Sequence, residues 1–130
     1  MTKRSTILTA LAHVCSKSLL LLEALSDVRD GGLGQSNPVK GILLRRRRNV
    51  AVLRSLLRAE GGERTYPPIL RTASVDADMV IVAEATLLGS LERQLAHSDM
   101  PDDLRTLFSA YREDVMQSIL ILQRLRNRNV

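Results

Sequence analysis

The sequence predicts an all-α chain folded as a single antiparallel four-helix bundle. Two observations carry that expectation. Leu, Ala and Arg abound while only 2% of the 130 residues are aromatic (Tyr66, Phe108 and Tyr111), a balance that favours helix packing over strands, which prefer β-branched and aromatic side chains. Four amphipathic stretches also follow one another, each bounded by glycine, proline or capping residues. An apolar fraction of 45% is enough to fill one helical core, and the length suits one domain covering residues 1–130.

The first stretch, about residues 5–30, places Ile7, Leu8, Leu11, Val14, Cys15, Ser18, Leu22 and Leu25 on one face and stops at Gly31-Gly32. In the second, Asn37 is expected to cap and Pro38 to take the first helical position, where no amide donor is needed. Its face is Val39, Leu43, Val50, Leu53 and Leu57, and it ends at Gly61-Gly62. Pro67 and Pro68 then forbid a continuous helix. About thirteen residues there reach ~40 Å when extended, so a long crossover between the second and third helices is allowed.

The third helix is expected over about residues 75–97, with Asp76 and Asp78 in a first turn that favours carboxylates. Its stripe is Val80, Ala83, Leu87, Leu91 and Leu95. The fourth opens at Pro101-Asp102-Asp103 and runs to about residue 126. Leu104, Leu107, Phe108, Tyr111, Val115, Ile119, Leu122 and Leu125 face one way, and Arg124, Arg126 and Arg128 suit its C-terminal end.

Two charges fall on apolar stripes. At 100° per residue Arg46 lies between Leu43, Val50 and Leu53, and Glu84 lies among Val80, Leu87, Leu88 and Leu91. Buried charges are costly unless paired, so Arg46 and Glu84 are expected to meet across the core, either fixing helix register or forming a polar centre in place of a metal site. Asp114, Tyr111 and Ser118 are candidates to join them. The neighbouring Arg45, Arg47 and Arg48 point outward and, with a formal charge of +5 and a pI near 10.1, offer an alternative reading as an anion or nucleic-acid site. No helix-turn-helix spacing or aromatic platform accompanies them.

Leu19, Leu20, Leu44, Val52, Ile81, Met116, Leu120 and Ile121 fall outside the main stripes. That number of outlying apolar residues suggests a second buried surface, and self-association is its preferred explanation. The paired Glu-x-x-His motifs of a di-metal bundle are missing from the sequence. His13 and His97 read as surface or helix-end residues, and Cys15 as a small buried hydrophobe. No nucleophile elbow or phosphate loop surrounds any Ser, His or Asp, so neither enzymatic activity nor a cofactor is expected. A degenerate metal or redox site using Glu84, Asp114, His13 or Cys15 is the weakest alternative. The single cysteine suits a reducing cytoplasm, and the basic start runs into helix-like sequence without a clear cleavage site. No uninterrupted apolar run approaches the ~20 residues of a membrane span, so insertion is not expected.

Several segments are similar to those of an uncharacterised family of small bacterial ferritin-like four-helix-bundle proteins. They are the arginine-rich second helix closing with Leu56-Leu57-Arg58-Ala59-Glu60-Gly61-Gly62, Ala83-Glu84-Ala85 in the third, Met100-Pro101-Asp102-Asp103-Leu104-Arg105, and the final Leu122-Gln123-Arg124-Leu125-Arg126. The resemblance implies a ferritin-like bundle with a crossover between helices 2 and 3, derived from metal-binding ancestors. It transfers no site residues.

Overall fold

A computed structural model describes residues 3–26, 36–61 and 75–128. Among them are four helices, α1 (Lys3–Ser26), α2 (Asn37–Ala59), α3 (Ala77–Leu95) and α4 (Asp102–Arg128). The crossover expected between α2 and α3 and the extension of the first helix to residue 30 both fall outside the described residues.

Helix ends show how the local sequence works. Ser36, not Asn37, precedes the first turn of α2, which puts Pro38 one position further in; its hydroxyl makes no capping bond. Gly61 closes α2 at φ 69°, a left-handed conformation that favours glycine, and its amide donates to the Arg58 carbonyl at 3.0 Å. Asp76 caps α3 by accepting from the Met79 amide at 2.9 Å, so only Asp78 of the two expected carboxylates sits in the first turn proper. At the other end of α3, Arg105 donates to the carbonyls of Leu95 (2.9 Å) and His97 (2.6 Å). A side chain of α4 thereby satisfies carbonyls that α3 leaves open.

Ion pairs give the helix directions. At one end Arg4 of α1 reaches Glu60, just past α2, at 2.7 Å and Asp103 of α4 at 2.6 Å. Lys3 pairs with Asp99 beside them. At the opposite end Arg126 of α4 meets Asp78 of α3 at 2.8 Å. Thus α1 and α4 run one way and α2 and α3 the other. Helix α1 packs on α2 and α3, and α4 packs on the same two, so neighbours are antiparallel and the diagonals α1/α4 and α2/α3 are parallel. The Arg4 guanidinium holds the Asp103 carboxyl below its usual value, although Asp103 is exposed and solvent screens the pair.

The core has two apolar clusters. One contains Leu8, Leu11, Leu53, Leu104 and Phe108; the other contains Leu22, Ile42, Val80 and Leu122. Each fully buried aliphatic or aromatic side chain contributes about 1.5–3 kcal/mol relative to exposure. Helix α1 is long and apolar enough, by length and composition, to cross a bilayer. In the bundle, 56% of its most apolar window is buried, which accounts for that composition through packing.

Candidate functional site

Arg46 and Glu84, both 0% exposed, are joined by a hydrogen-bonded ion pair across the α2/α3 diagonal. Ser18 of α1 completes the contact. Its hydroxyl donates to Glu84 Oε2 at 2.7 Å and accepts from Arg46 Nη1 at 2.8 Å. Burial opposes the charged guanidinium, but the charge of Glu84 and its hydrogen bond outweigh that penalty and hold the Arg46 pKa above its ordinary value. The Nε and Nη2 atoms of Arg46 and Oε1 of Glu84 are buried without hydrogen-bond partners among the described residues.

The other expected members of this centre lie elsewhere. Asp114 sits on the α2/α4 seam, accepting from Arg45 Nε at 2.8 Å and Asn49 Nδ2 at 3.1 Å. The Tyr111 hydroxyl donates to the Asn49 carbonyl at 3.4 Å, and Ser118 donates to the Asp114 carbonyl of its own helix at 2.9 Å. A helical wheel places these three on the inward side of α4 but does not resolve centre from seam. Ser18 was legible only as a small residue on an apolar face, and its role depends on the three-helix geometry.

The arginine run is divided among neighbours. Arg45 pairs with Asp114 on α4, Arg46 with Glu84 on α3, and Arg47 with Glu23 on α1 at 3.4 Å. Only Arg48 of the run is exposed without an ion pair among the described residues. Two of the three arginines expected to face an anion therefore already face carboxylates.

Cys15 is 2% exposed, and burial pushes its thiol up to about 12, the opposite of what a nucleophilic or metal-binding thiolate requires. His13 and His97 are both exposed. Among the described residues no group of three or more His, Cys, Asp or Glu side chains is placed to hold a metal ion.

The outlying apolar residues divide into two sets. Leu44 (62%), Met116 (40%) and Leu120 (45%) are exposed. Leu20 and Val52 are half-buried, while Leu19, Ile81 and Ile121 pack against the core clusters of their own chain. The latter three are covered because each helix touches two neighbours, which widens its buried face beyond one stripe. Two residues not singled out in the sequence belong with the exposed set, Val82 (66%) and Met79 (39%). They border a groove of about 520 Å³ between α1 and α3 whose other walls include Val14, Leu21 and Ala83. No protein family, curated protein or solved structure matches this chain.

Proposed function

We propose that this chain is a non-catalytic, metal-free bundle of ferritin-like topology that works by protein association, with itself first and with another helical protein as the alternative. The observation that carries the reading is the set of exposed apolar side chains Leu44, Met79, Val82, Met116 and Leu120 on a bundle whose core is already filled. The parallel α2/α3 diagonal supports a crossover between those helices and, with it, the likeness to small bacterial ferritin-like bundles. The basic-module reading is less well supported, since Arg45 and Arg47 have carboxylate partners.

Light scattering across a range of protein and salt concentrations tests the association. An assembly larger than the 14.4 kDa chain, insensitive to salt, is the expected result. A strictly monomeric mass at all concentrations overturns self-association. Nucleic-acid binding that weakens steeply with salt and is lost on Arg48→Ala would favour the basic module instead.

A further inference from the structure

We infer that the outer face of α2 is a docking strip for double-stranded DNA, held through its phosphates without regard to sequence. The inference goes beyond the association reading and does not rest on it. Helix α2 carries seven Lys and Arg side chains and no Asp or Glu from Asn37 to Ala59. Its diagonal partner α3 is the reverse, with Asp78, Glu84 and Glu92 against Arg93 alone. The charge of the bundle is therefore polarised toward α2, which steers a polyanion to that side. Arg45, Arg46 and Arg47 have carboxylate partners. Lys40, Arg48, Arg54 and Arg58 have none among the described residues, and Nε of Arg54 lacks any hydrogen-bond partner.

Helical spacing sets these cations in a row. Lys40, Arg47 and Arg54 recur every seven residues, about 10.5 Å apart and within ~40° of one line. Arg58 follows one turn later, so the row is about 27 Å long. The other exposed positions beside it are Leu44, Ala51 and Ser55, and small residues there let a phosphate backbone come close. The carboxylates around the row are already engaged. Glu23, the only acid of α1, meets Arg47 at 3.4 Å, Asp114 meets Arg45, and Glu60 and Asp103 both meet Arg4.

Two observations select the partner. A single strand is gripped by stacking on exposed aromatic rings, and the aromatic side chains among the described residues, Phe108 and Tyr111, are buried. An anionic bilayer takes up bulky apolar residues that lie beside the cations, and the row offers only Leu44. A duplex needs neither. Cations about 10.5 Å apart span a major groove about 12 Å wide, so α2 laid across it reaches phosphates on both strands.

The test is fluorescence anisotropy of the full chain with a labelled DNA duplex of arbitrary sequence. Four phosphate contacts predict a slope of about −3.6 for log affinity against log salt, a loss of about 150-fold from about 50 to 200 mM. Arg54→Gln with Arg58→Gln is expected to flatten that slope by about 1.8. Arg93→Gln with Arg124→Gln, which removes the same charge from α3 and α4, is expected to change it by less than about 0.5. Equal flattening by both pairs overturns the α2 strip, and so does an unchanged anisotropy at low salt. Binding to phosphatidylserine vesicles without binding to the duplex overturns DNA as the partner in favour of a membrane surface. A monomeric mass by light scattering overturns self-association and leaves the strip standing, so the two readings fail separately. Helix content by circular dichroism confirms that the substitutions leave the bundle folded.

Discussion

Replacing Arg46 with Met and Glu84 with Leu, singly and together, probes the centre of the bundle directly. Each single change strands a charge in a site that is 0% exposed. Arg46→Met leaves the Glu84 carboxylate with only the Ser18 hydroxyl, and Glu84→Leu leaves a guanidinium with only that same hydroxyl. Removing one partner of a buried pair costs about 3–5 kcal/mol. The double variant removes both charges and inserts apolar side chains of comparable length. It should cost far less, because buried ion pairs replaced by packed hydrophobes are often neutral or stabilising. What remains is the Ser18 hydroxyl without its partners, a penalty of about 1–3 kcal/mol. The two mutations together are therefore expected to be milder than either alone, with a coupling energy of about 4 kcal/mol or more. Urea unfolding followed by circular dichroism measures all four corners of the cycle, and an unchanged m-value shows that midpoints report stability. Single effects that add to within about 0.5 kcal/mol of the double would refute a paired centre.

Two further outcomes follow from named groups. Because burial raises the Cys15 thiol to about 12 against about 8.5 in an unfolded chain, its contribution to stability is fully present below about pH 8.5 and is lost as pH rises toward the folded value. Between pH 9 and 10 the loss should approach ~1.4 kcal/mol per pH unit, and Cys15→Ala should remove that slope in the same unfolding assay. Arg105→Ala, which leaves the Leu95 carbonyl without this donor and the His97 carbonyl with the Met100 amide at 3.3 Å, should cost about 1–2 kcal/mol and speed amide exchange at the C-terminal end of α3 more than elsewhere.

Much of the fold was legible in local pattern: most stripe residues read from the sequence are buried or half-buried, although the buried Leu21 and Ile42 fell outside those stripes. Pro38 and Gly61 lie at the limits of α2 and Pro101 before α4, while the stop expected at Gly31-Gly32 lies outside the described residues. Arg46 and Glu84 were equally legible, because a charge within an apolar stripe is visible on a wheel without knowledge of its partner. Asp114 was not, since a wheel gives the angle around one helix and nothing of the radial depth that separates the α2/α4 seam from the central diagonal. The outward face of α3 was hidden for a different reason. Apolar residues surround that helix, so periodicity gives no contrast between Val80, which is buried, and Val82, which is not. The N-cap of α2 was misassigned between two adjacent residues, Ser36 and Asn37, that are both good caps by type.

The arginine run is better understood through the bundle than through its charge. Successive residues on a helix point about 100° apart, so Arg45, Arg46 and Arg47 reach three directions from a single turn of α2, and each finds a carboxylate on a different helix. The two outer pairs are half-exposed and contribute at most about 1 kcal/mol each. Their value lies in position rather than strength. The central pair is more demanding, because Arg46 and Glu84 must lie at the same level along the bundle. Reversing α3 about its midpoint would carry Glu84 by roughly one turn, ~6 Å, leaving two buried charges apart where they now meet. That penalty is of the size removed from a broken pair, so the centre discriminates against the reversed helix while the apolar clusters on either side, which tolerate many arrangements of Leu and Val, do not. The buried diagonal pair thus favours α3 lying parallel to α2, and with Glu84 turned inward Val82 and Thr86 of α3 face outward.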